Sequence, residues 1–438
     1  MNTLSLIHNK SIDYYQKLRF KLQDSAPLIH PFFPMSFNMS AGFVQLDPYI
    51  RGKKKIENEK IVTFQKCIRH FDRKHSGRDS AHLSFFEMFG ALTIGKPDRK
   101  QLIEDMWAFL TEELKIDKER IIVSVFQGDN IRGKEFAADR EMEKIWQGVG
   151  LKKFQIYYGD KDNVFWFQGG NKLDDKTKGF PHANKLCGYQ TELFFDTKKK
   201  KCSESCNIFC KCGMYIEIAN NLTIEYEFNP QTNSFRKLDI SATETVFGTE
   251  RLAAILEGKI NIWETSLFKN TILPGDEYIQ LSNEDQRIII DRLRALIFLA
   301  IEGTPKPGHN GRRRIVRHYM RDVLSRIYKV EEDESGIEKI IDLYLKKIAA
   351  SYIEFYPNIK NAVKYCSQAI LTHHKKYIST IHHARESIKH SFLRGDIEEL
   401  DDYTKLKLEK KLGIPMFLID LFYGDAFTPA LAVKENRV

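Results

Sequence analysis

Residues 61–90 read IVTFQKCIRHFDRKHSGRDSAHLSFFEMFG. An apolar, strand-like run ends at Arg69, a polar loop follows, and a second strand carries His82 and Phe86 four positions apart. Strand alternation puts Ser84 and Phe86 on one side and Phe85 and Glu87 on the other. These parts suit a nucleoside triphosphate held on an antiparallel sheet. Arg69 can make a fixed, forked contact to a phosphate. His82 and nearby loop groups can reach the outer phosphates, and Phe86 offers a face on which adenine can stack. An ordinary amphipathic hairpin with a charged loop fits the same residues as well.

The rest of the chain narrows the class. Of 438 residues, 42% are hydrophobic and 29% charged, ordinary for a soluble globular protein of two or three domains. No stretch approaches the ~18 uninterrupted apolar residues of a membrane span. The N-terminus, MNTLSLIHNKSIDYYQ, lacks a basic region followed by an apolar one, so no secretion signal is expected. A cytoplasmic protein without membrane contact is the expectation. The net charge of +9 favours a polyanionic partner.

Four of the seven cysteines fall in CSESCNIFCKCG, as Cys202, Cys206, Cys210 and Cys212. In a cytosolic chain such a cluster points to metal before disulfides. Four thiolates could close a tetrahedral structural Zn²⁺ site. A loop of reduced thiols is the alternative, because the spacing is not that of the common zinc knuckles. Cys67, Cys187 and Cys366 read as packing residues.

Two regions emerge. Residues 1–270 mix helices with strand-like runs (RIIVSVFQG, FQIYYG, NVFWFQG, TELFFD, LTIEYEFN), and a helical pattern covers roughly 101–119. The expectation is an α+β domain around an antiparallel sheet, with a Cys-rich insertion at 200–213. Residues 271–438 read as all-helical. QRIIIDRLRALIFLAIEG has apolar residues at helical spacing and stops at Gly303. Further helices are expected near 311–328, 336–352, 358–376, 378–393 and 400–412.

QKCIR followed by HLSFFEMFG resembles the second signature of the class II catalytic domain in alanyl-tRNA synthetases, where QKCIR precedes an HxTFFEMLG strand. The resemblance implies that Arg69 contacts the α-phosphate of ATP, His82 lies near the outer phosphates and Phe86 stacks on adenine, with Glu87 also matching. FNMSAGFVQLDPYIRG (37–52) is similar to the first signature. FGTERLAAILEGKINIWETSLF (247–268) is similar to the third, and makes Arg251 the arginine that holds the γ-phosphate. DNVFWFQ and CGYQTELFFD imply that Trp166 walls the amino-acid pocket and that Glu192 sits in the active site. YIEIANN places Asn220 against the amino acid, and Cys clusters like this one precede such a strand in archaeal-type members. Residues 291–324 resemble the segment that opens the family's helical tRNA-reading domain. The implied fold is a class II synthetase antiparallel-sheet domain followed by a helical domain that reads the tRNA acceptor stem. The implied ligands are ATP, Mg²⁺, an amino acid and tRNA.

Several positions depart from the family. Its DTGMG becomes Glu244-Thr245-Val246-Phe247-Gly248, so Glu244 replaces the Asp that grips the α-amino group and Val246 adds bulk. The Trp of E-I-W-N becomes Ala219. At the positions that recognise a G·U pair the chain has His309, with Asn310 adjacent, and Lys410. Lys410 cannot accept a hydrogen bond from guanine as Asp can. Arg314, Arg317 and Arg321, at i, i+3 and i+7, present a cationic face to the acceptor stem, or a solvated one. His382 and His383 read as helix-surface residues. No HxxxH follows in the tail to Val438, so the family's editing and C-terminal domains are expected to be absent. The main expectation is alanine activation and transfer to the 3′ end of tRNA. Adenylation with transfer to a non-tRNA acceptor and a non-catalytic RNA-binding role remain open, as does the choice of monomer or dimer.

Overall fold

The computed structural model describes residues 3–29, 42–168, 184–273, 280–397 and 400–424. The chain divides into two compact units, Met1–Lys269 and Asn270–Val438. The first contains, in order, α1 (Thr3–Lys17), β1 (Lys21–Leu22), α2 (Asp47–Ile50), β2 (Lys60–Ile68), β3 (Phe85–Gly95), α3 (Arg99–Ala108), β4 (Ile121–Phe126), β5 (Asp129–Ile131), β6 (Lys134–Phe136), α4 (Arg140–Gly148), β7 (Ile156–Gly159), α5 (Lys161–Val164), β8 (Phe165–Phe167), β9 (Lys185–Asp196), β10 (Tyr215–Asn229), β11 (Ser234–Gly248), α6 (Thr249–Leu256) and α7 (Ser266–Lys269). Nine strands form one sheet in the order β1-β2-β3-β11-β10-β9-β4-β7, with β8 also on β9, and β5 and β6 form a separate two-stranded hairpin among the described residues. The ladder from β2 to β4 is antiparallel throughout. The β1–β2 and β4–β7 pairs at the edges are parallel. The α+β class expected from the sequence is the class observed.

Alternation sorts the strands onto two faces. Phe89, Phe247, Leu193 and Ile216 pack behind the sheet against Met106, Phe109 and Trp146. The Phe89 and Phe247 rings stack there at 5.2 Å between centroids. Leu92, Leu222 and Ala242 form a second cluster on the front. The register slips between Glu217 and Ala219. That bulge, one extra residue in β10, reverses the facing of everything before it. Glu217 and Asn220, three apart, consequently share the front face.

The helix expected over 101–119 is shorter. α3 passes into a single π turn, Phe109–Glu113, and Lys115 then adopts φ +60°. A left-handed lysine ends the helix where the apolar pattern alone showed no stop.

The second unit holds α8 (Asn283–Ile301), α9 (Gly311–Ile327), α10 (Glu334–Tyr352), α11 (Ile359–Leu393) and α12 (Asp402–Leu412), with 416–424 also helical. α8 is buried on all sides over 288–299, as a central helix must be. Its buried Arg292 is paired with Asp322 at 2.9 Å and with Asp291, and Arg294 donates to the Tyr352 hydroxyl. The two helices expected over 358–376 and 378–393 are one, α11. Neither Gly nor Pro interrupts the stretch, and Tyr377 at the supposed break is buried against Ser325 of α9. Among the described residues, no helix is long and apolar enough to cross a membrane.

One close approach is demanding. A Cβ on Gly188 of β9 would lie 1.9 Å from the carbonyl oxygen of Thr223 on β10. Gly188→Ala is expected to cost about 1–3 kcal/mol or more through strand separation, measured as a lowered urea midpoint.

Candidate active site

Cys67 of β2 faces Phe86 of β3 across the ladder, and the Arg69 N–H donates to the Ser84 carbonyl at 2.9 Å. Arg69 is thereby fixed where the strand ends. Its guanidinium lies over the Phe86 ring, 4.9 Å from the centroid. The loop between the strands is pinned at Asp79, whose carbonyl accepts from the Trp263 indole at 3.0 Å. One Asp79 carboxylate oxygen accepts from the His82 N–H at 2.8 Å, and the other bonds the His82 ring. Burial pushes the Asp79 carboxyl up, but hydrogen bonds from His82 and Ala81 outweigh it and hold the group down to about 2. The carboxylate is therefore ionised and orients the imidazole.

Arg69, His82 and Phe86 line a pocket with Asn220 of β10, Val246 and Gly248 of β11, and Arg251 of α6. Arg251 donates to the Glu217 carboxylate at 2.9 Å and to the Glu217 carbonyl at 3.2 Å. Glu192 of β9 is the ladder partner of Asn220 and accepts from Gln190 at 3.2 Å. Its carboxyl is pushed well above the usual range, first by burial and then by the nearby Glu217 charge, which the Arg251 charge only partly offsets.

The remaining sequence-predicted residues are placed differently from one another. Glu87 is fully buried behind the sheet, 3.3 Å from His8 of α1, because alternation turns it away from Phe86. Glu244 is buried beside Leu222 and Leu92. Val246 stands between it and Gly248 on the same face. Trp166 packs on the front cluster of Leu92 and Leu222. Ala219 borders the pocket, while its methyl belongs to the core behind. The first-signature stretch begins outside the described residues. Asp72, Glu217 and Glu250, which the sequence reading did not single out, also line the pocket. Glu217 lay within the quoted YIEIANN, but its facing depends on the bulge. Glu250 accepts from the Glu87 N–H at 3.2 Å and from Thr249 at 3.1 Å.

The four cysteines of the insertion converge, with all sulfurs within 4.8 Å of one another. Cys202 and Cys210 are 3.4 Å apart, and Cys206 and Cys212 3.6 Å. A tetrahedral Zn²⁺ with bonds of ~2.3 Å separates its sulfurs by roughly 3.8 Å, so the donor set fits zinc. The Met214 N–H draws the Cys212 thiol down to about 7, toward the thiolate a metal needs. The loop is anchored by buried Ile208 and by Phe209, which meets Phe194 and Tyr157 edge-on.

In the helical unit, exposed His309 and Asn310 lead into α9. Arg317 and the His309 ring are 2.9 Å apart, and Arg314 is exposed beside His318 at 3.3 Å. Arg321 is half-buried, donates to the Gly413 carbonyl at 3.0 Å and covers Tyr377. Lys410 is exposed in the last turn of α12. Buried His373 of α11 is pushed down to about 4 by burial and by Arg321 and Arg317, so it adds no charge to this basic face.

The model of the class II (A) tRNA synthetases matches residues 6–426. The chain belongs to that family. An alanine–tRNA ligase of Borreliella afzelii (strain PKo) is 30% identical over 390 residues, covering 86% of this chain and 62% of the relative. One from Treponema pallidum (strain Nichols) is 27% identical over 394 residues, 87% and 62% of the two chains. One from Ruthia magnifica subsp. Calyptogena magnifica is 26% identical over 94% of this chain and 46% of its own. The chain thus spans about three fifths or less of the length of these relatives. A histidyl-tRNA synthetase from S. aureus, covering 66% of this chain and 75% of its own, overlays with a TM-score of 0.34 at 12% identity, and carries none of the argument.

Two outcomes follow from the geometry. Purified protein is expected to carry one zinc per chain by metal analysis, lost together with thermal stability in the Cys202→Ser, Cys206→Ser double variant. Glu192 has a folded value above its unfolded one, so its ionisation works against folding as pH rises past the ordinary carboxylate range. Glu192→Gln is therefore expected to melt higher than the parent near neutral pH, with the gap closing toward about pH 4. Thermal unfolding across that range reads it.

Proposed function

We propose that this chain activates an amino acid, alanine foremost, as its aminoacyl-adenylate and transfers it to the 3′ end of a tRNA. One observation carries the reading. Arg69 and Phe86 from β2–β3 and Arg251 from α6 face a single pocket that also holds Asn220. An RNA binder without chemistry has no need of two fixed cations around an aromatic face. The family's relatives named as alanine–tRNA ligases supply the choice of alanine and of tRNA as acceptor.

In this reading Phe86 takes the adenine, Arg69 the α-phosphate, His82 the outer phosphates and Arg251 the γ-phosphate. Glu217 and Asp72, carboxylates open to the pocket, suit Mg²⁺, a hard cation with oxygen ligands that neutralises phosphate charge when bound. A carboxylate oxygen of the amino acid attacks the α-phosphorus. The new C–O–P bond forms as the α–β P–O bond breaks, and pyrophosphate leaves with the electron pair. A terminal ribose hydroxyl then attacks the acyl carbon and AMP leaves. The residues act by positioning and charge neutralisation, and no covalent nucleophile is required. Asn220 and Glu192 offer the oxygens for the α-ammonium. Residues 1–270 are the catalytic part. Residues 271–438 engage the acceptor stem, with His309, Asn310, Arg314, Arg317 and Lys410 on the accessible side. A cytoplasmic setting accords with this reaction.

ATP–pyrophosphate exchange across the twenty amino acids, followed by charging of bulk tRNA, tests the reading. Exchange with alanine and acid-precipitable charging are expected. Arg69→Ala should lose about 10²–10³-fold in exchange without loss of fold by circular dichroism. Undiminished exchange in that variant removes the role assigned to Arg69, and no exchange with any amino acid removes the reading.

A further inference from the structure

The pocket has two chemically distinct parts. One is charged and aromatic, around Arg69, Phe86 and Arg251. Elsewhere in its lining, Asn220 stands beside its ladder partner Val246. The Asn220 Oδ1 is buried and, among the described residues, has no hydrogen-bond partner. A buried acceptor left unpaired is costly, and the residue that carries it lines the pocket. It therefore asks for a ligand that brings an N–H donor, as an α-ammonium does.

Val246 is the direct ladder partner of Asn220 on one side and of Gly90 on the other. Cross-strand partners have Cβ atoms ~4.5–5.5 Å apart. A ligand whose ammonium meets Asn220 Oδ1 thus carries its Cα, and whatever hangs from it, against the Val246 methyls. Val246 is only 7% exposed, and its β-branched side chain is stiff about χ1. It cannot swing aside as a Met or Leu would. The neighbouring Gly90 contributes no side chain, and a Cβ built there would meet Val246 Cγ1 at 3.7 Å. The valine is the group that fills this part of the front face.

We propose that Val246 sets the upper size limit of the amino-acid side chain, admitting hydrogen or methyl and excluding longer groups. This rests on the adenylation reading above and deepens it by assigning the selectivity to one residue.

The test is a volume series read as ratios, which do not depend on the fraction of a variant that is folded. Exchange kcat/KM is measured with glycine, alanine, 2-aminobutyrate and leucine for the parent, Val246→Ala and Val246→Ile. One methylene in an apolar pocket is worth about 10–200-fold in discrimination. Val246→Ala is therefore expected to raise the 2-aminobutyrate-to-alanine ratio at least about tenfold. Val246→Ile is expected to raise the glycine-to-alanine ratio by a similar factor, and if it is inactive the alanine variant decides. Ratios unchanged from the parent overturn the proposal while leaving adenylation intact. Parent enzyme that prefers leucine overturns it in the same way. Parent enzyme without exchange for any amino acid overturns both readings.

Discussion

The site depends on a single extra residue in β10. Without the slip between Glu217 and Ala219, strict alternation would send Glu217 and Asn220 to opposite faces. Glu217 would then point into the core among Phe89, Phe247 and Met106, where an unpaired carboxylate is not tolerated. With the slip, Glu217 stands in front, within reach of Arg251, and Ile216 and Ile218 remain behind in the apolar cluster. The bulge thus keeps the core dry and brings a carboxylate and an amide to one wall of the pocket. Because β10 lies between β9 and β11, it also brings Glu192 on one side and Val246 on the other into the same row.

Charge at that wall is arranged against local stability. Glu192 and Glu217 repel one another, and a single Arg251 lies between their demands. The arrangement suits a site whose substrates bring both a cation and several anionic oxygens. In the proposed reaction an ammonium would relieve the carboxylates, while phosphates would draw Arg251 away from Glu217. Behind the sheet the order is reversed. Glu87 is fully buried, its N–H donates to the Glu250 carboxylate, and His8 stacks on Phe64 at 3.7 Å while reaching Glu87. That layer holds the pocket wall from the rear, and it explains how an acidic residue next to Phe86 can be structural.

What was legible in the sequence was local. Arg69, His82 and Phe86 sit on a strand-loop-strand whose alternation can be read residue by residue, and the helical stop at Gly303 is a φ +83° position. The bulge was not legible, because one inserted residue leaves no compositional trace in YIEIANN, and with it the role of Glu217 was hidden. Glu244 reads as a pocket acid from its motif, yet its depth is set by the valine two positions on and by the leucines of two neighbouring strands. Trp166, expected at the amino-acid pocket, is carried by β8 on β9 and packs on the front cluster of Leu92 and Leu222. The length of α11 was missed for a related reason: a polar stretch around His373–Lys376 reads as a break until buried Tyr377 shows a partner helix on that side.

The helical unit shows how one basic pattern divides its labour. Arg314, Arg317 and Arg321 look equivalent at i, i+3 and i+7, but Arg314 is exposed while Arg321 is half-buried and engaged within the unit. Arg321 lies over Tyr377 and ties its Nη1 to the Gly413 carbonyl at the left-handed end of α12. A carbonyl at a helix C-terminus is an orphan acceptor carrying partial negative charge, so an arginine there satisfies it and holds the helix. Lys410 sits one turn back from that contact. One arginine of α9 therefore orders the helix that carries a second source of positive charge, and the cationic face is a composite of two helices tied together by the half-buried arginine.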